Sequence, residues 1–157
     1  MNESQILARL EELGIELPAA PKPVAAYIPV VVSGSTAYVA GQVPMVDGQL
    51  LYPGHLGAQV SVEEGAVAAK RAALQALSAL REALGSLDRL RRLVQVIVYI
   101  AASPDFTEHP RVANGASEFL VEVLGEDGKH ARAAVGMSSL PLGASVEVQV
   151  TAEVDPA

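Results

Sequence analysis

Arg132 and Glu147 are the side chains whose types and settings best suit chemistry. Arg132 is the one charged residue in the apolar run Ala131–Met137. Its planar fork can grip a carboxylate or phosphate through two hydrogen bonds. Equally, a cation on a strand can serve only to keep a sheet edge from pairing with another chain. Glu147 lies in a stretch of regular alternation, where a carboxylate can trade protons with a substrate or simply face water. Three further positions offer both a site role and a plainer one. Tyr27 could donate a hydrogen bond or pack at the start of a strand. Gly41 could admit a ligand to the backbone or make a turn. Asn114 could line a site or sit on an exposed helix face. His55, His109 and His130 are far apart in sequence, and no carboxylate pattern organises them. They are expected to be loop histidines and not metal ligands. The sequence carries no cysteine, no GxSxG elbow, no phosphate-binding loop and no dinucleotide fingerprint.

The elements that must position these residues follow from periodicity. From Ala144 to Val154 apolar and polar residues alternate without a break, the mark of a strand with one buried face. Ala131–Met137 also reads as a strand, and Ser138–Gly143 as a turn folding the two back together, so Arg132 and Glu147 are expected on neighbouring strands. Upstream, residues 3–13 have the spacing of a short amphipathic helix stopped by Gly14. Ala26–Ser33 and Thr36–Gly41 read as strands around a Ser33-Gly34-Ser35 turn, with Pro29 confining the start to a sheet edge. Asp47-Gly48 marks a further turn. Ser61-Val62-Glu63-Glu64 is a capping box opening a long helix that Gly85 ends. Leu93–Ala101 is apolar almost throughout, predicting a central strand covered on both faces. Glu108-His109-Pro110 opens another helix, which Gly125 ends. The order predicts one α+β domain over residues 1–157, with two main helices on one face of a mixed sheet plus an extra N-terminal helix. The other face would be either wet or an oligomer interface.

Half of the 157 residues are hydrophobic, enough for a packed core and against disorder. The net charge of −7 and the 4% aromatic content supply neither the cations nor the stacking surface of a nucleic-acid binder. The N-terminal residues show no basic segment followed by an apolar run, and no apolar run is long enough for a bilayer. A cytoplasmic protein is expected.

Two blocks then carry a resemblance: Tyr27 with Tyr38-Val39-Ala40-Gly41-Gln42-Val43-Pro44, and Ala131-Arg132-Ala133-Ala134-Val135 with Leu140-Pro141 and Val146-Glu147-Val148. In order and spacing they resemble the YjgF/RidA family, the reactive-intermediate deaminases, from about Tyr27 to the end of the chain. Asn114-Gly115-Ala116-Ser117-Glu118-Phe119 resembles the family's asparagine-bearing helix. The resemblance implies a chorismate-mutase-like subunit of a homotrimer with sites in the clefts between subunits. It implies that Arg132 holds a substrate carboxylate with help from a backbone N–H near Ala134. Glu147 would position or activate a water, and Tyr27 and Gly41 would close the pocket. The implied reaction is hydrolysis of enamine or imine intermediates to 2-keto acids and ammonia, with no cofactor or metal. The chain departs from the short prototypes in three ways. Ala134 replaces a frequent cysteine, Gln149 stands where some members have a second acid, and the N-terminal helix and Tyr52–Gly57 have no counterpart. A longer subfamily with an altered pocket rim is implied. The rival readings are a metabolite-binding trimer without turnover and, ranked last, RNA cleavage or translation inhibition.

Overall fold

Asn2 and Ser61 start the first two helices by the same device. In the computed structural model, which describes residues 1–23 and 25–156, helix α1 spans Glu3–Glu12 and α2 spans Val62–Leu84. The Ser61 hydroxyl accepts from the Glu64 N–H at 3.1 Å, and the Glu64 carboxylate accepts from the Ser61 N–H at 3.0 Å. Asn2 and Gln5 make the equivalent reciprocal pair in α1. Each satisfies amide donors that a helix start leaves without partners. Gly14 and Gly85 stop these helices at φ of 68° and 79°, a conformation costly for residues with a Cβ. The third helix, α3, spans His109–Leu124, with Pro110 in the first turn, where a missing N–H does no harm.

Seven strands follow in chain order: β1 (Val30–Ser33), β2 (Thr36–Gln42), β3 (Met45–Val46), β4 (Gln49–Leu50), β5 (Leu90–Ala101), β6 (Ala131–Met137) and β7 (Val146–Val154). Five form one mixed sheet in the order β1-β2-β7-β5-β6, and β3 pairs with β4 apart from it. Pro29 delays the first strand, which begins at Val30 and not at Ala26. The β1–β2 hairpin closes as expected, with Ser33 opposite Thr36 and Gly34 at φ 61°. Helices α2 and α3 cover one face, against which Val146, Val148, Val150, Ala152 and Val154 are buried. Each fully buried valine contributes roughly 1.5–3 kcal/mol relative to exposure. The run of buried alanines on α2 (Ala68, Ala69, Ala72, Ala73 and Ala76) lets the helix lie close to the sheet. At the α2–α3 crossing a methyl on Gly115 would run into the backbone of Ala66.

The N-terminal helix is tied down through Glu3. Its carboxylate accepts from Arg81 at 2.8 Å, from the Ser86 hydroxyl at 3.0 Å and from the Leu87 N–H at 2.6 Å. The Arg81 bond, followed by the Leu87 amide, holds this carboxyl below the usual carboxylate range.

Two expectations are corrected. The strands bearing Arg132 and Glu147 are not neighbours: β6 pairs in parallel with one edge of β5, and β7 pairs antiparallel with the other. The short connector straddles the end of β5, where Ala102 N–H donates to Met137 C=O at 3.1 Å and Ala101 N–H to Ser145 C=O at 2.9 Å. A twelve-residue strand offers two long edges, and each of the last two strands takes one. Second, β5 is central, but only one of its faces is covered within the chain: Leu93, Val96, Val98 and Ile100 are buried, whereas Val94 is exposed and Ile97 and Tyr99 are partly so. No helix among the described residues is long and apolar enough to cross a membrane.

Candidate functional site

Register decides what Arg132 and Glu147 can do together, because residues paired across a sheet share a face. Arg132 pairs with Val96, which pairs with Val150, on the helix-covered side. Glu147 pairs with Tyr99, which pairs with Val135, on the open side. The two therefore belong to two candidate half-sites on opposite faces of the sheet.

The first half-site lies on β6, an edge strand whose outward backbone N–H groups have no strand partner. Arg132 Nη1 donates to Asn114 Oδ1 at 2.8 Å and to Ser117 Oγ at 3.3 Å. Asn114 and Ser117 lie three residues apart on one face of α3. The imidazole of His130 extends the chain of bonds. Its Nδ1 donates to the Gly128 carbonyl at 2.6 Å, since a carbonyl can only accept. In the neutral ring Nε2 is then an acceptor, and the Ser117 hydroxyl donates to it at 2.9 Å. The relay fixes the Ser117 lone pairs toward Arg132. It leaves Nη2 and Nε of the exposed guanidinium without protein partners among the described residues, free to receive an anion. Ala134, two residues along β6, lies on the same face, partly buried against the core.

The second half-site is a cavity of about 380 Å³ on the other side, which Tyr27, Gly41 and Glu147 all line. Gly41 sits in an irregularity of β2 where the pairing with β7 shifts between Val39 and Gln42. Such bulges re-aim the backbone beside binding sites. The Glu147 carboxyl presses against this glycine: a Cβ there would lie 2.9 Å from Cδ and 3.1 Å from Cγ of Glu147. Among the described residues no cation pairs with Glu147. Burial pushes its carboxyl above the ordinary value for a glutamate. Tyr27 is half exposed at the mouth.

The cavity floor is held by a residue the sequence does not advertise. Gln75 of α2 is buried; its amide accepts from the Met45 N–H at 2.7 Å and donates to the Val43 carbonyl at 2.7 Å. Arg71 Nε donates to the Met45 carbonyl at 2.7 Å. The segment Val43-Pro44-Met45 is thereby clamped onto the helix although it belongs to no strand of the main sheet. Its signal in the sequence is a lone glutamine among Ala72-Ala73-Leu74 and Ala76-Leu77. Ser117 and His130 had a signal too: Ser117 is one helical turn from Asn114, and His130 stands two residues before Arg132. His130 is thus no idle loop histidine. Among the described residues no three His, Cys, Asp or Glu side chains lie close enough together to hold a metal ion.

Comparison with known proteins matches residues 7–154 to a family described as "YjgF/chorismate mutase-like, putative endoribonuclease". Protein TCP17 of Trypanosoma cruzi is 46% identical over 152 residues, covering 96% of this chain and 95% of that protein. Among solved structures, protein Atu1372 of Agrobacterium tumefaciens superposes with a TM-score of 0.91 at 41% identity, over 98% of this chain and 94% of its own. A Shewanella oneidensis protein bearing the same endoribonuclease description superposes with a TM-score of 0.91 at 34% identity, over 95% of this chain and 99% of its own.

Proposed function

The chain belongs to the YjgF/chorismate mutase-like family, and from that premise we propose that it hydrolyses reactive enamine and imine intermediates. The products are 2-keto acids and ammonia, and the sites lie between the subunits of a homotrimer. The observation that carries this reading is the division of the site into two halves on opposite faces. One half, at Arg132, has free donors for a carboxylate. The other, at Glu147, has a carboxyl of raised pKa that pairs with no cation among the described residues, in a cavity whose one lysine, Lys22, stands exposed at the rim. Each is incomplete alone, and stacking the edge strand of one copy over the open face of another completes both. The open face suits such an assembly, since Val31, Tyr38 and Val135 are exposed there.

The chemistry needs little more. An enamine tautomerises to the imine by gaining a proton at carbon and losing one from nitrogen. Arg132 of one subunit holds the carboxylate of the imine, with backbone N–H groups near Ala134 assisting and Asn114 and Ser117 bracing the guanidinium. Across the interface Glu147 takes a proton from water as its oxygen bonds to the imine carbon and passes it to the imine nitrogen, giving a carbinolamine; it then takes the carbinolamine hydroxyl proton and delivers it to nitrogen as the C–N bond breaks and C=O forms. Water and imine are consumed; 2-keto acid and ammonia leave. No electron is transferred and no cofactor is invoked. In this reading the protein works in the cytoplasm on intermediates of amino-acid metabolism.

The test is ammonia and 2-keto acid release from 2-aminoacrylate generated in situ by a serine dehydratase. Wild type should accelerate decay over the uncatalysed background, and Arg132→Ala should return it to that background. A trimer that binds 2-oxobutyrate by calorimetry without accelerating decay would replace the enzyme by a metabolite-binding protein. An RNA-cleaving role is disfavoured by the net charge of −7.

A further inference from the structure

The cavity beside Glu147 is much roomier and more apolar than a carboxylate and an imine require. Its walls include Pro21, Pro23, Pro29, Val43, Met45 and Leu142. Two of its five polar side chains are already committed to the protein. Gln42 Nε2 donates to the Ala40 carbonyl at 3.0 Å, and Gln75 clamps Val43 and Met45. That leaves Glu147, with Tyr27 at the mouth and the exposed Lys22 at the rim. At 380 Å³ the space reaches the range of roughly 300–1,000 Å³ found for pockets that enclose drug-sized ligands. A three-carbon imino acid leaves most of it vacant.

Leu142 adds a backbone observation at the edge of the same cavity. It is held at φ 63°, in a region costly for a residue with a Cβ, and its side chain is 78% exposed at the edge of the cavity. An apolar cover over Leu142, from a ligand side chain or from the neighbouring copy, would remove that side chain from water. Pro21 and Pro23 come from the chain preceding Tyr27, and their fixed φ angles make a stiff wall.

We propose that this cavity holds a subsite for a large apolar side chain, so that the preferred substrates are 2-imino acids derived from branched aliphatic or aromatic amino acids. The inference rests on the hydrolase reading above and assigns the substrate that the reading leaves open. The carboxylate is held at Arg132 of the neighbouring copy, the imine carbon faces Glu147, and the side chain extends toward Val43, Met45 and Leu142.

The test is a substrate series. An L-amino acid oxidase generates the 2-imino acids of alanine, leucine, phenylalanine and aspartate in situ, and decay is followed by semicarbazide trapping with and without the full-length protein. The kcat/KM for the leucine- and phenylalanine-derived imines should exceed that for the alanine-derived imine by at least about tenfold, the scale on which apolar pockets discriminate. Met45→Trp, which fills the subsite, should reduce that ratio toward one. A ratio near one in the wild type, or a preference for the aspartate-derived imine (the outcome if Lys22 reads a second carboxylate), would overturn the subsite while leaving the hydrolase intact. No acceleration of any imine, 2-aminoacrylate included, would instead remove the hydrolase reading itself. Should Met45→Trp fail to fold, the wild-type series decides alone.

Discussion

Replacing Gln75 tests whether one buried amide holds the floor of the cavity. Gln75→Leu keeps the side-chain size, so little cavity is created, but it orphans the Met45 N–H and the Val43 carbonyl, each now bonded at 2.7 Å. The 3.5 Å approach to Gln42 Oε1 is too long to add much. Leaving a buried backbone group unsatisfied costs about 1–3 kcal/mol, and both groups are only partly shielded, so the expected loss is about 2–4 kcal/mol. Gln75→Glu sharpens the test. One carboxylate oxygen can still accept from Met45, but the other meets the Val43 carbonyl and must carry a proton to bond it. Protonation is then favoured in the folded state, which raises the folded pKa of that carboxyl. Its stability should be full below the unfolded carboxylate value and decline as pH rises through the raised one. Urea unfolding followed by far-UV circular dichroism at one protein concentration, in acid and at neutral pH, measures both effects. A loss below about 0.5 kcal/mol for Gln75→Leu, the size of an ordinary surface change, would refute the clamp. So would a Gln75→Glu variant whose deficit is the same at both pH values.

Two further outcomes follow from the same cavity. Burial raises the Glu147 carboxyl, so the folded chain keeps that proton to higher pH than the unfolded chain does, and folding loses stability as pH climbs through the raised value. Unfolding free energies measured between about pH 4 and 8 should therefore show Glu147→Gln gaining on wild type as pH increases; a constant difference would contradict the burial argument. Gly41→Ala drives a methyl into the Glu147 side chain without backbone strain, since Gly41 is outside the left-handed region. It should retain the fold but lower kcat/KM by about ten- to a hundredfold, as displacement of a reacting group by an ångström can, and wild-type turnover in the variant would show that Glu147 has no fixed role.

The sequence made the local elements legible because each carries its own chemistry. The Ser61–Glu64 box, the Ser33-Gly34-Ser35 hairpin and the strict alternation after Ala144 all stand where expected. What it obscured was the relation between strands. A short turn between two apolar runs ordinarily makes a hairpin. Nothing within the connector Ser138–Gly143 tells that β5 lies between its two ends; that depends on β5 offering two edges to partners distant in sequence. The consequence for the site is large. Had the last two strands paired, Arg132 and Glu147 would have been adjacent, and one chain could have held a whole site. With β5 interposed, the register sends Arg132 to the helix side and Glu147 to the open side.

That division also explains why the polar residues around each half are so differently arranged. Arg132 sits on an exposed edge, where a free guanidinium would sample many rotamers, and the bonds it donates to Asn114 and to Ser117, which His130 holds in turn, confine it. Glu147 has no such hydrogen bonds among the described residues; it lies against Gly41, in a cavity whose floor Gln75 fixes from beneath. One half is preorganised by hydrogen bonds, the other by packing. A catalyst assembled from two copies of such a chain has to bring those rigid halves into register only once, when the subunits associate. In the proposed trimer the affinity of the subunits and the geometry of the proposed reaction are set by the same contact between the edge strand of one copy and the open sheet of the next.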